Sequence, residues 1–415
     1  MFINYYNFKE KNHFFSIILI SFFPALVFLG TGVINLLIII LDLLFLFEII
    51  KKNELKYLNN KFFYCLILLF FVWLTNLLFS INFENSLSRS FGFIRFIFFV
   101  FALRYYIFDV NKDYKKHIFK IWLIIFLVIN LDLFFEFIFG YNVLGFKSYM
   151  PGRLSGFFNQ ELKIGYLYSS ICLVILSYFV LDIKKINLFN IFNNKKNLIY
   201  LLAFIILFIS LIIGERSNFV KTLIMLALFL FFFQKKNYFK NINFILSTLL
   251  ILVIIIAIIP SENQYKHRYW GMFLKPLSEN PIKFIKNTNY GDHYNAAYKV
   301  FKKHKMFGVG LKNYRIEVSS GNYGNNPSIH PHEKHLEILS ETGLLGYIFF
   351  ICFFIYTIFL GIKIYFKNKN LYQLSGMLFV IANLIPVIPS GSFFTTYTAT
   401  FFWLNFAFMI NTSKE

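Results

Sequence analysis

A chain of 415 residues, 58% hydrophobic and only 15% charged, lacks the polar surface of a soluble protein, in which about a quarter of residues are charged. A mean hydropathy of +0.62 excludes a disordered chain as well. The apolar share supplies roughly twelve segments of about twenty residues, the length that crosses a bilayer core, so the net charge of +21 calls for a topological explanation before a nucleic-acid one.

In chain order, apolar runs at 14–30, 33–50, 61–80, 91–108, 118–139, 164–182, 199–213, 219–233, 242–260, 343–362, 371–388 and 395–411 predict twelve spans in one membrane domain over 1–415. The first follows Lys9 and Lys11, but no small-x-small cleavage pattern follows Gly30, so it reads as a retained anchor. Placing both termini in the cytoplasm puts Lys51, Lys52, Lys56, Arg104, Lys112, Lys115, Lys116, Lys184, Lys185, Lys195 and Lys196 inside, followed by Lys235, Lys236, Lys240, Lys363, Lys367 and Lys369. The opposite connections at 31–32 and 389–394 carry no Lys or Arg, and 81–90 carries only Arg89. Lysines that merely mark loops would show no such asymmetry. Cys65, Cys172 and Cys352 all lie in apolar runs, which excludes a disulfide framework or a zinc-ligand spacing.

Within the spans, Asp42, Arg95, Asp132 and Glu136 are ionisable at a depth where charge is costly. Arg95 with Asp42 or Asp132 is most simply a structural pair between helices, and a proton relay is the sharper alternative. Two arginines stand on the outer side, where the orientation rule disfavours them: Arg153 in Pro151-Gly152-Arg153-Leu154-Ser155-Gly156, and Arg216 in Gly214-Glu215-Arg216-Ser217. A cation there needs a carboxylate partner, Glu215 being at hand for Arg216, or an anionic ligand such as a diphosphate that suits the planar fork.

The connection 261–342 is long and holds six of the eight histidines, His267, His293, His304, His330, His332 and His335. A stretch of that length inside a compact protein is expected to be functional and to contain helices. Asp292 is a plausible N-cap for a helix whose apolar face is Tyr294, Ala297, Tyr298 and Phe301, with Lys299, Lys302, Lys303 and Lys305 mostly opposite; the plain reading is a helix lying on the membrane surface. Pro331 suits the first position of a second helix, which places His332 in its first turn, where the dipole keeps an imidazole neutral and able to act as a base. The plain reading is a polar cap on the tenth span. A metal site is disfavoured, because His332-Glu333-Lys334-His335 is one residue short of the zinc-protease spacing and Lys334 sits within the cluster.

The run from His332 to Gly346 resembles the signature of the bacterial O-antigen ligase and polymerase family: a histidine, a small polar residue, nine residues, Gly, two residues, Gly. His332, Gly343 and Gly346 match, and Glu333 stands where Asn, Ser or Gln is usual. Arg153-Leu154-Ser155-Gly156, Gly214-Glu215-Arg216-Ser217 and Phe307-Gly308-Val309-Gly310-Leu311-Lys312-Asn313-Tyr314 look like the same family, in matching order across 130–365. Near Asp292-His293-Tyr294, relatives often carry an Arg and a Trp that this chain lacks.

The resemblance implies an all-α, polytopic membrane glycosyltransferase of the GT-C type, with about twelve transmembrane helices, a periplasmic loop over 261–342 and a site at the outer face of the cell inner membrane. Its partners are then membrane lipids, an undecaprenyl-diphosphate-linked glycan donor and an acceptor hydroxyl on a glycan or lipid A core, with neither cofactor, metal nor nucleic acid. By carry-over, His332 is the base or acceptor-positioning residue, Arg153 and Arg216 grip the diphosphate, and His330, Gly308 and Gly310 are expected to contact substrate. A polymerase of the same family is the near alternative. Polymerases often show Arg, ten residues, Gly, and Arg153 to Gly165 misses that spacing by one, which tilts the reading to a ligase. An exporter or flippase is the rival of another class, but two six-span halves would show symmetry that a single long loop after span nine breaks.

Overall fold

A computed structural model describes residues 11–110, 112–182, 195–233, 242–248, 251, 264–280, 289–324 and 328–412. The described residues are helical, with no strand among them, and form a multi-pass membrane architecture. Seven helices are long and apolar enough to cross a membrane, and shorter apolar helices occur at His13–Leu29, Leu198–Ile212 and Leu371–Asn383. Most of the expected ninth span, 242–260, lies outside the described residues.

The chain divides into two compact units. Unit 1 comprises 1–122, 292–373 and 390–415. Its helices are α1 (Lys11–Leu26), α2 (Thr31–Lys51), α3 (Lys61–Asn76), α4 (Phe83–Gly92) and α5 (Ile94–Arg104), with later helices described below. The abundant phenylalanines pack edge to face: Trp73 meets Phe93 at 4.2 Å, and Phe93 in turn meets Trp403 at 5.2 Å. On α2, one face buries Ile34, Leu41 and Phe45 while Leu36 and Leu43 are exposed, the apolar exterior that lipid contact permits. Asp42 and Arg95 are close enough to feel each other's charge, yet no ion pair within 4 Å joins them and Asp42 Oδ1 has no hydrogen-bond partner.

Unit 2 comprises 123–291 and 374–389. It contains most of α6 (Lys112–Phe139), then α7 (Ile164–Asp182), α8 (Lys195–Ile212), α9 (Arg216–Phe233) and an irregular helix over 264–279, here α10, with a π-helical middle at His267–Leu274. The two carboxylates near the end of α6 have a use that the sequence did not suggest. Asp132 accepts from the amide of Val143, and Glu136 accepts from the amides of Ser155 (3.0 Å) and Gly156 (2.7 Å). These carboxylates satisfy the backbone of an irregular loop, which cannot be left unpaired beside hydrocarbon, and that loop carries Arg153.

The helix expected at Asp292 exists, but it runs Asn289–Lys303 (α11), so Asp292 lies in its first turn and is not its N-cap. Its buried face is also rotated from the expected one: Ala296, Ala297 and Val300 are fully buried, whereas Tyr298 is 46% exposed. Small residues win that face because the segment carrying Val309, Tyr314, Val318 and Tyr323 packs directly on it. This second segment includes α12 (Tyr314–Ser320), whose buried Glu317 takes the Lys303 ammonium at 2.7 Å. The face thus meets protein, and the membrane-surface reading of it does not hold.

Candidate functional site

Two clusters hold the residues singled out by sequence. His332, His330, Gly308 and Gly310 belong to unit 1, and Arg153 and Arg216 to unit 2.

In unit 1 the organising element is α13 (Lys334–Asn368), a 35-residue helix interrupted at Gly343, where φ is 66° and ψ is −170°. Only glycine adopts that conformation readily. The break frees backbone groups, and the 305–310 segment takes them up: Val309 N donates to Ser340 O, Gly310 N to Glu341 O, Leu344 N to Lys305 O and Leu345 N to Met306 O. The approach is so close that a Cβ on Gly343 would stand 2.4 Å from Met306 O, and one on Gly308 would stand 2.4 Å from Glu341 O. The spaced glycines of Gly308-x-Gly310 and Gly343-x-x-Gly346 thus include the two faces of one docking contact. The amides of Gly308 and Gly310 are both spent within the protein, on His304 O and Glu341 O.

Helix α13 begins three residues later than expected, at Lys334 and not at Pro331. Glu333 is its N-cap, with extended backbone and a carboxylate that accepts from Leu336 N at 2.8 Å. His332 precedes the helix, in a left-handed conformation at φ 58°, so the first-turn dipole argument does not apply to it. The cap also accounts for Glu333 itself: Asn, Ser and Glu can all place a side-chain oxygen on the third helical amide.

Burial does what the dipole was expected to do. The His332 imidazole is pushed down to about 4 by burial, then by His330 and His293 beside it. His330 is likewise held at about 4, burial outweighing the hydrogen bond to Ser390 O. Its Nδ1 stands 3.7 Å from Glu337, beyond hydrogen-bond length. His332 Nε2 lies 3.3 Å from Ser328 Oγ, and its ring centroid is 4.8 Å from that of His330 and 5.2 Å from that of His293. His335 is elsewhere, with Nδ1 3.2 Å from the Tyr347 hydroxyl. The cluster is therefore His293, His330 and His332, held below the usual imidazole range by burial and so neutral near pH 7, able to accept a proton although as weaker bases than a free imidazole. His293 was missed as a site residue; its only sequence signal was its position where relatives often carry Arg.

In unit 2, Arg153 Nη2 contacts Glu215 Oε1 at 2.7 Å and donates to Leu162 O at 3.0 Å. Glu215 was expected as a partner for Arg216, but it pairs with Arg153. Arg216 Nη1 instead donates to Met272 O at 3.3 Å. The local turn explains the exchange: Gly214, at φ 77°, lies so close to Gly152 that a Cβ would stand 2.0 Å from Gly152 O, and Leu154 N donates to Ile213 O across the same contact. This fixes Arg153 against the start of α9. The Arg153–Glu215 contact is not aligned as a hydrogen bond, for Glu215 Oε1 and Arg153 Nε both lack a hydrogen-bond partner. Gly165 packs onto the same carboxylate, since a Cβ there would stand 2.6 Å from Glu215 Oε2.

A third cation, Arg268 on α10, completes the cluster. Its Nε donates to Gly214 O at 2.6 Å, and it is held down to about 10 by burial first and by Arg153 and Arg216 next. Sequence reasoning missed it because the π-helical turn that aims it has no pattern signal. Three guanidiniums gathered beside Glu215 offer planar forks of the kind that suit a diphosphate.

Residues 201–351 match the family model described as O-antigen ligase. The matched stretch includes Arg216, Arg268, His293 and the whole segment from Gly308 through His332 to Gly346. No curated protein matches the chain.

Proposed function

The chain belongs to the O-antigen ligase and polymerase family, and from this premise we propose that it transfers a glycan from an undecaprenyl-diphosphate carrier to an acceptor hydroxyl. The reaction is placed at the periplasmic face of the inner membrane, with both termini cytoplasmic and a GT-C type arrangement of about twelve spans. His332 takes the proton of the acceptor hydroxyl. The oxygen attacks the anomeric carbon as the bond from that carbon to the phosphate oxygen breaks, inverting the centre. Undecaprenyl diphosphate leaves with the electron pair, and Arg153 and Arg216, with Arg268 beside them, stabilise its charge. No metal is needed in this scheme, because guanidiniums carry the leaving group and an imidazole carries the proton.

The observation that carries the reading is His332 packed beside His330 and His293 within the matched stretch. Lipid A core is the acceptor we favour, hence a ligase. The close packing of Gly165 on Glu215 gives that glycine a role in the Arg153 pair, so its spacing does not speak for a polymerase. The test is transfer by purified protein from an undecaprenyl-diphosphate glycan to lipid A core, with the anomeric configuration of the product read by NMR. Inverted product formed in the presence of a chelator supports the proposal. Retention of configuration, or a chelator block relieved by added metal, refutes the mechanism; elongated carrier-linked glycan without core modification makes the enzyme a polymerase.

A further inference from the structure

A small open cleft in unit 1 is lined by Arg89, Lys312, Arg315, Glu337, Glu341 and Phe394, with His330 also in its lining. Its floor is acidic. Glu337 is committed to the protein, accepting from the Ser392 hydroxyl and from Phe393 N at 2.7 Å. Glu341, one helical turn on, is 5% exposed, and its Oε2 has no hydrogen-bond partner. A buried acceptor left unpaired costs about 1–3 kcal/mol.

Beside these carboxylates stand three cations, of which Arg89 is close enough to feel the charge of both. Arg89 donates to Phe394 O. Among the described residues no ion pair within 4 Å joins Arg89, Lys312 or Arg315 to Glu337 or Glu341. Lys312, in a left-handed turn at φ 66°, is held below its usual value by burial and by the charges of Arg89 and Arg315. Like charges gathered over a partly buried cleft are relieved by an anion.

The two halves of the cleft ask for different things. A simple inorganic anion suits the cations but offers Glu341 little beyond further acceptors. A neutral sugar gives Glu341 a hydroxyl donor but leaves Lys312 and Arg315, which neither carboxylate reaches within 4 Å, without an anionic partner in the cleft. A sugar bearing a carboxylate or phosphate supplies both. We propose that this cleft is a subsite for a negatively charged sugar of the acceptor glycan. Its assignment to the acceptor rests on the transferase reading, through His330, which lines the cleft and stands beside His332; the binding itself does not.

The test is a binding titration of the full chain in nanodiscs with trigalacturonate, galactotriose and inorganic phosphate as probes. Wild-type protein should bind trigalacturonate at least about tenfold more tightly than galactotriose, the scale of one or two charge-assisted hydrogen bonds. Arg315→Gln and Lys312→Gln should each remove most of that preference, and Glu341→Gln should weaken both sugars. Equal binding of the two sugars, phosphate competing as well as trigalacturonate, or an unaltered preference in Arg315→Gln would overturn the subsite. If glycan transfer then proceeds normally, the transferase reading stands without it. Preference intact in a protein that transfers nothing would leave the subsite and remove its assignment to an acceptor.

Discussion

Gly343→Ala tests the contact on which the histidine cluster is built. The alanine must hold φ 66° and ψ −170°, a region that costs a non-glycine residue about 1–3 kcal/mol. Its Cβ would also stand 2.4 Å from the backbone of Met306 and 2.5 Å from Gly308 N, and relieving that overlap costs about 1–3 kcal/mol more. Backbone atoms cannot swing away as a flexible side chain does, so the 305–310 segment must lift. Losing even two of its four hydrogen bonds to α13 adds about 1–3 kcal/mol. The sum, about 3–6 kcal/mol after partial relaxation, is large against the total stability of a domain. Apparent melting of detergent-solubilised protein should fall by roughly 5–10 °C, with transfer activity lost. Gly32→Ala is the control, since a Cβ there meets nothing within 4 Å, and it should be neutral or slightly stabilising. A Gly343→Ala protein that melts and works like the wild type would mean that the break in α13 and its docked segment are not as described.

The depressed imidazoles predict a direction for pH. Above about 6.5, His330 and His332 are neutral whether folded or not and cost nothing; as pH falls from about 6.5 toward 4, the unfolded chain takes up protons that the folded chain refuses. Apparent melting temperature should therefore drop over that window, and His330→Asn should flatten the drop; a flat wild-type profile would contradict the burial argument. Arg153→Lys and Arg216→Lys should each lose most transfer activity with membrane insertion unchanged, because a point charge does not reproduce a fork on a diphosphate; normal rates in both would leave these arginines as structural. Reporters fused after Lys196, Asn280 and Glu415 should read inside, outside and inside, and a cytoplasmic signal at Asn280 would overturn the orientation.

Much of the fold was legible because lipid imposes long apolar runs, and a run such as 33–50 returns directly as α2. What failed was local geometry decided by partners distant in sequence. The face of α11 could not be read from its own periodicity, because rings such as Tyr298 and Phe301 compete with Ala296 and Val300 as apolar positions until the segment carrying Val309 and Tyr314 takes one side. The start of α13 was misplaced by three residues because Pro331 is a strong start signal and Glu333 an unusual cap. The candidate site was legible where a residue type is costly in its position, as with Arg153 and Arg216, whose role is part of the proposal. It was illegible where only folding supplies the neighbour, as with Arg268 through Gly214, or His293 through its ring contact with His332.

The central claim, that His332 is the base of a glycosyl transfer, is tested most directly by single-turnover transfer with His332→Asn. Asparagine tolerates the left-handed backbone at φ 58°, so the substitution removes the base without straining the loop as alanine would. With undecaprenyl-diphosphate glycan bound, transfer to the acceptor should slow by roughly a hundredfold to ten-thousandfold, the usual worth of a general base, while donor affinity stays within about twofold. Transfer at the wild-type rate in His332→Asn would contradict the claim and leave the arginines as the candidates for catalysis.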